Sequence, residues 1–399
     1  NGTSPVQCNG GVVETGTITV ASKSDADALA GVNCIDGDLL VAGLTGDDLG
    51  SLSNLAIVTG DVVVAGNPGL SDLTGLGGLH AVGGQYLIQG NDGLSDLRGL
   101  EQLTQVETIT VVGNDHLGAL TGLDHFSDLG ASLRIASNSE LPDLTGLDHL
   151  VTASRSIAIV GNPSLASIDR LAGLRQAGSL EITGNASLPS IELTSLEKIS
   201  VRLIINQNTA LATVTLPKLV TTGDFVRMDD DAVLTNVSAP VLVTTGGFLF
   251  SRDTSLATVS APSLVFITGQ TALTTLPALA NLELPALISC GGDLAFTQVG
   301  TMQHFAGLAK LGSVGGNFSL SSTTGPIDFA GFGQLATIAG NMTVSANTAL
   351  SSMNGLDKLG EIGGSLTITN NAQLPTSSAT AFGNRVTVRG AKTISGNHP

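Results

Sequence analysis

An asparagine, usually preceded by glycine, returns along this chain at a nearly constant interval. Asn67, Asn91, Asn114, Asn138, Asn162, Asn185 and Asn208 follow one another every 23 or 24 residues, and the same slot recurs as Asn347 and Asn371. A repeat this short cannot bury an apolar face alone, so its copies must stack into a solenoid. Each Asn closes a short alternating segment: Val62 and Val64, Tyr86 and Ile88, Ile109 and Val111, Leu133 and Ile135, Ile157 and Ile159. Apolar residues two apart predict a strand with one face inward. A second spacing follows, as in Leu70, Leu73, Leu76 and Leu79. Steps of three fit a wall turning regularly inward and not a long 3.6-residue helix. Glycine pairs such as Gly83 and Gly84, or Gly363 and Gly364, close many coils and are expected to supply sharp corners or positive φ. The predicted fold is all-β, a right-handed β-helix or leucine-rich solenoid. Roughly fourteen coils stacked about 4.8 Å apart would make a rod of about 70 Å.

Composition agrees with a narrow core. Aromatics are only 3% of the 399 residues, with no Trp and one Tyr, so Leu, Ile, Val and Ala must fill the interior. The formal charge of −17 argues against nucleic acid or an anionic membrane as partner, since both require basic patches. A disulfide between Cys8 and Cys34 would staple the first turn and imply an oxidising compartment, with Cys290 left alone. No apolar run reaches the length of a membrane span. No signal peptide is visible, and Asn1 reads as the start of a processed or trimmed chain. Within one continuous solenoid, the expected divisions are a cap and first coil (1–59), regular Asn-slot coils (60–201), irregular Pro-containing coils (202–292) and C-terminal coils (293–399). The buried amide of each slot Asn is expected to bond backbone of its own and neighbouring coils, a structural role.

The opening residues carry a resemblance. Cys8, then Ile18, Thr19 and Val20, then the 24–29 segment, then Cys34-Ile35-Asp36-Gly37-Asp38-Leu39 resemble the N-terminal cap of receptor L domains. Those leucine-rich solenoids occur in insulin- and EGF-receptor ectodomains, fungal cell-wall proteins and bacterial surface proteins. Ala239-Pro240-Val241-Leu242 and Ala261-Pro262-Ser263-Leu264, with Leu216-Pro217-Lys218-Leu219, are similar to coils of the fungal branch. The resemblance implies a disulfide-closed cap and an extracellular or cell-surface location. The Cys-rich modules that separate receptor L domains are missing, so growth-factor binding is not implied.

Function is sought where the repeat breaks, because regular coils satisfy themselves. The Asn slot is read as becoming Asp230 and then Asp253, inside Arg227-Met228-Asp229-Asp230-Asp231 and Arg252-Asp253. Stacked one coil apart, these make a carboxylate and guanidinium cluster. It reads either as a salt-bridged ladder or as an oxygen-rich cation site, and no calcium-loop spacing supports the latter. The outward strand residues there are read as Ile204, Val226 and Leu249, an apolar contact patch. The next coil is read as lacking its strand over 270–276, with Pro277 and Pro285 bracketing an extra turn that could line a concavity. His125 and His149 share a register with Gln102 and Lys358, which marks a variable exposed position and not a metal site. The C-terminal strands present Ser319, Ser321, Thr343, Ser345, Thr367 and Thr369 outward, a face resembling that of ice-binding solenoids, though ordinary strand preference accounts for it. Asn1, Asn185, Asn236, Asn317 and Asn341 lie in glycosylation sequons, with Asn185 expected inside the ladder.

No nucleophile elbow, phosphate loop or zinc-ligand helix is present, and no cofactor or metal is expected. The leading expectation is therefore a non-enzymatic recognition or adhesion protein that meets a protein or glycan ligand on a cell surface or matrix. One alternative is a subunit that self-associates end to end, since residues 386–389 and 392–399 read as a partial coil without a cap, leaving strand edges open. The other is a polysaccharide-active enzyme using Asp229–Asp231 and Asp253.

Overall fold

A computed structural model describes residues 5–46, 49–300, 302, 305–325 and 328–399. The Asn1 sequon lies outside them. The chain divides into two compact units, residues 1–193 and 194–399. Each is a parallel β-solenoid, and together their turns number about 16, with a repeat of about 23 residues.

In the first unit, Ile18–Val20, Leu39–Ala42, Val62–Ala65, Gln85–Gln89, Thr108–Val112, Ser132–Ala136, Thr152–Val160 and Gln176–Thr183 pair in parallel, each with its copy one turn on. Register follows from the apolar alternation: Val64 lies opposite Ile88 and Ile88 opposite Val111, all fully buried. A smaller sheet of Val13–Thr15, Cys34–Asp36, Ile57–Val58 and Ala81–Val82 forms another wall. The Leu-x-x-Leu arm carries 3-10 turns such as Thr74–Leu76, which point Leu73, Leu76 and Leu79 into the core. The Cys8–Cys34 disulfide joins the opening segment to the first strand of the small sheet, with Cα atoms 5.7 Å apart.

The second unit continues the pattern from Arg202–Asn206 and Phe225–Asp229 through Phe248–Ser251, Thr271–Leu276, Leu294–Val299, Phe318–Ser321, Met342–Ser345 and Leu366–Thr369 to Lys392–Ser395. Its early arms differ. Thr213–Thr215, Asn236–Ser238, Thr258–Ser260 and Asn281–Glu283 form an added sheet, because β-branched Thr-Val-Thr favours strand where Leu-Thr-Gly favours a turn. When Gly-Leu and Gly-Phe return, so do 3-10 turns, at Ala306–Leu308 and Ala330–Phe332. The few aromatics are concentrated here: Phe296, Phe305, Phe318, Phe329 and Phe332 meet in tilted and edge-on pairs.

Three sequence expectations are corrected. Residues 271–276 do form a strand, paired on both sides, and Pro277 and Pro285 bracket no extra turn. Pro277 follows its corner as Pro68 follows Asn67, and Pro285 repeats the positions of Pro217, Pro240 and Pro262. The paired glycines do not adopt positive φ. They are needed because coils pass too closely for a side chain: a Cβ on Gly83 would lie 1.9 Å from the Thr59 carbonyl oxygen. Residues 376–385 form a helix, missed because Ser, Thr and Ala there show no apolar period. It belongs to the turn once read as uncapped. Gly383 lies against Ile394 and Leu366, while the Arg385 guanidinium donates to the carbonyls of Leu356, Asp357 and Leu359.

The Asn column is buried at every position of the first unit, from Asn67 to Asn185. Asn114 donates from its backbone N–H to Asn138 Oδ1 at 3.1 Å, and from Nδ2 to the carbonyl of Ile88 at 3.1 Å. Asn138 repeats this toward Asn162 and Val111. Each amide thus satisfies backbone groups of the coils before and after it. An unmet buried polar group costs about 1–3 kcal/mol, so Asn138→Ala, which strands groups on both sides, is expected to cost about 2–4 kcal/mol. Hydrogen exchange read by mass spectrometry should quicken in the coils around Asn114 and Asn162; unchanged protection there would contradict a structural role.

Candidate functional site

The residue before each slot Asn holds a left-handed backbone, which lets the chain leave the strand and turn the corner. Gly66, Gly90, Gly113, Gly161 and Gly184 supply it in the first unit, with Ser137 at φ 54° as the exception. In the second unit the same conformation falls on Gln207, Asp230, Arg252, Thr275, Gln298, Ser322, Ala346, Asn370 and Gly396. That series identifies the slot itself as Asn208, Asp231, Asp253, Leu276, Val299, Thr323, Asn347, Asn371 and Asn397.

Asp231, not Asp230, therefore stands in the Asn slot. Asn208 donates to Asp231 Oδ1 from its backbone N–H at 2.7 Å and from Nδ2 at 3.2 Å, and the Asp231 N–H donates to Asp253 Oδ1 at 2.9 Å. The same one-residue shift corrects the outward row. Val226 is buried with Met228, and Arg227 points out between Ile204 and Leu249, with which it pairs in register. The surface is thus an exposed guanidinium set between two half-buried aliphatic side chains.

The remaining charges are matched locally. Asp229, almost fully buried, pairs with Arg227 and accepts from the Ser251 hydroxyl. Asp230 accepts from Arg252 Nε at 2.6 Å and Nη2 at 2.7 Å, which holds its carboxyl below the ordinary range. A forked pair of this kind is geometrically specific, yet at half-exposed side chains it adds little stability.

Asp231 and Asp253 are different. Both are wholly buried, and the Oδ2 atom of each has no hydrogen-bond partner. Burial pushes the Asp231 carboxyl up to about 7, reinforced by the charges of Asp229 and Asp230 and opposed by donation from Asn208. Burial likewise pushes Asp253 up to about 8, opposed by the Asp231 N–H and reinforced by the neighbouring carboxylates. In the Asn ladder the corresponding atom is Nδ2, which donates to a carbonyl of the preceding coil. A carboxylic acid with its proton on Oδ2 has a donor at that atom, as Nδ2 has, whereas a carboxylate has none. The ladder thus favours the neutral acids.

A second ladder, missed in the sequence, runs along the other end of the strands. Asp293 Oδ1 accepts from the N–H and Nδ2 of Asn317, Asn317 Oδ1 accepts from those of Asn341, and Asn341 Oδ1 accepts from the Ser365 N–H. Its only signal was the pair of sequons at Asn317 and Asn341. Asn185 is fully buried, and Asn236 begins a strand. His125 turns its Nε2 to the Leu103 carbonyl at 2.7 Å. Cys290 is buried, with Sγ facing the carbonyls of Gly269, Gly292 and Asp293.

Concavities lie elsewhere among the described residues, including one of about 460 Å³ in the first unit lined by Asp143, Asp148, Asp169 and Arg170. One of about 380 Å³ in the first unit is lined by Gln105, Glu107, Phe126, Asp128 and Arg155, beyond the end of the small sheet. One of about 300 Å³ in the second is lined by Pro262, Asn281, Leu282, Glu283 and Pro285, with Gly307. The concavity beside Pro285 is not lined by Pro277, and it is not formed by the extra turn expected between them. Among the described residues, no group of three or more His, Cys, Asp or Glu is placed to hold a metal, and no helix is long and apolar enough to cross a membrane.

Comparison with family models and with curated proteins finds no match. Among solved structures the chain is similar to a crystal structure of a TLR13–ssRNA13 complex, at 13% identity and a TM-score of 0.26. The match covers 97% of this chain and 66% of that one, so the chain spans just under two thirds of its length.

The buried acids make stability depend on pH in a definite direction. Their folded pKa values lie above the unfolded value of about 3.9, so the unfolded state releases protons first. The stability contributed by these two acids is fully present below about pH 4, falls as pH rises toward 7 to 8, and levels off above. Asp231→Asn with Asp253→Asn should flatten that fall and raise the urea midpoint at pH 9, while changing little at pH 4. A double variant less stable than the parent at pH 9 would contradict this reading.

Proposed function

We propose that this chain is a non-enzymatic recognition or adhesion protein of the receptor L-domain kind, acting outside the cell or at its surface on a protein or glycan ligand. The observation that carries the proposal is the outward patch of Ile204, Arg227 and Leu249 on a sheet whose ladders leave it little freedom to move. A fixed guanidinium between aliphatic side chains combines a directional donor with apolar contact, and Arg is among the residues that most often carry binding energy. The Cys8–Cys34 disulfide supports an oxidising compartment.

The same geometry disfavours polysaccharide cleavage at the acidic cluster. General acid–base work needs carboxyls that reach substrate. Asp231 and Asp253 are enclosed, Asp229 is nearly so, and Asp230 is held by Arg252.

Protein and glycan arrays probed with the purified chain test the proposal. A retained ligand should lose about tenfold in affinity with Arg227→Ala, and at least as much with Leu249→Asp. Ligands bound equally by both variants, or no retention on either array, would overturn it.

A further inference from the structure

The outward face of the C-terminal strands forms two ranks in register. One contains Ala272, Ala295, Ser319, Thr343, Thr367 and Thr393. The other contains Ser251, Thr274, Thr297, Ser321, Ser345, Thr369 and Ser395. In a protein of formal charge −17, neither rank holds a charge, an aromatic ring or a side chain larger than threonine. The inward neighbours are apolar and buried, among them Leu320, Val344 and Ile368, so the alternation pins every hydroxyl to the outer side.

The face is also held on both flanks. The ladder of Asp293, Asn317, Asn341 and Ser365 runs along one side, and that of Thr323, Asn347, Asn371 and Asn397 along the other. Between them the hydroxyls repeat about 4.8 Å from coil to coil and about 6.6 Å along each strand. Thr297 and Ser321 share a hydrogen bond, whereas the hydroxyls of Thr343, Thr367 and Thr369 make none to another protein group among the described residues. Their donors and acceptors are left for solvent, at positions that recur with the coil.

We propose that this face binds ice, by holding a sheet of water molecules in lattice-like order. Charge selects the occupant: an uncharged array offers nothing to an ion, a nucleic acid or a charged polymer. The absence of aromatic rings removes the stacking platform a crystalline polysaccharide would need. What remains is an ordered, neutral hydrogen-bonding lattice, and ice repeats its oxygen atoms at a spacing close to the coil rise. Threonine suits the task because its branched Cβ restricts χ1, and its methyl group covers part of the strand while the hydroxyl faces water. Strand preference explains why Thr is tolerated here, but not the exclusion of charge from two ranks over successive coils. The hydroxyl-bearing stretch from Ser319 to Thr393 lies on later coils than the Arg227 patch, and only the first member of the second rank, Ser251, shares a strand with Leu249.

The test is ice recrystallisation and single-crystal ice shaping with the full chain, beside an inert protein of similar size. The chain should facet growing ice and slow recrystallisation. Thr343→Lys with Thr367→Lys should require about tenfold more protein for the same effect. Thr213→Lys, on the added sheet, should match the parent. Circular dichroism melts confirm that each variant is folded, and Thr369→Lys replaces the double variant if that fails. Isotropic ice growth in the parent, equal activity in the folded face variants, or binding to crystalline chitin or cellulose without ice shaping would each overturn the proposal.

Discussion

Coil-to-coil hydrogen bonding through side chains at the corners is the constraint on which the rest of this structure depends. Strand pairing alone leaves the chain free to slip by one residue wherever both faces tolerate it, and such a slip exchanges core for surface. A buried amide that must meet a carbonyl behind it and an N–H ahead of it allows only one register. In the first unit the slot is occupied by Asn in the six coils from Asn67 to Asn185. In the second it passes through two acids, two apolar residues and a threonine before Asn returns at Asn347.

Each departure is compensated by a different means. The acids can replace asparagine because a protonated carboxyl keeps an acceptor on Oδ1 and a donor on Oδ2, one donor fewer than the amide. Leu276 and Val299 bring no polar group to satisfy, and the core of this unit holds phenylalanines in tilted pairs, Phe296 with Phe305 and Phe305 with Phe332. Thr323 resumes the bonding with its hydroxyl and backbone N–H both donating to Asn347 Oδ1. The surface follows the corner. Where the slot is acidic, the adjacent outward positions carry Arg227 and Arg252. In the coils that follow, the outward strand positions matching Arg227 carry Ala272, Ala295, Ser319, Thr343 and Thr367.

The period, the inward strand residues, the leucine-lined arm and the role of the Asn column were all legible in the sequence, because each depends on spacing alone. The failures share a cause. Phe225, Val226 and Met228 allow two alternations, and Asp229–Asp231 offers three acids for one slot, so only the left-handed backbone at Asp230 identifies the register. Without it, Val226 reads as an outward residue. The glycine pairs were read as corners, although their purpose is close passage between coils, which sequence does not display. The second ladder mixes Asp, Asn and Ser, so no single residue type announces it.

The corner ladder of the second unit depends on Asp231 and Asp253 being neutral acids that stand in for asparagine. Carboxyl carbon shifts of the aspartates, followed by NMR across pH 3 to 9, answer that directly. Two carboxyls that stay protonated through pH 5 and titrate near 7 and 8 are expected. All aspartates ionised by pH 5, with the fold intact, would contradict it.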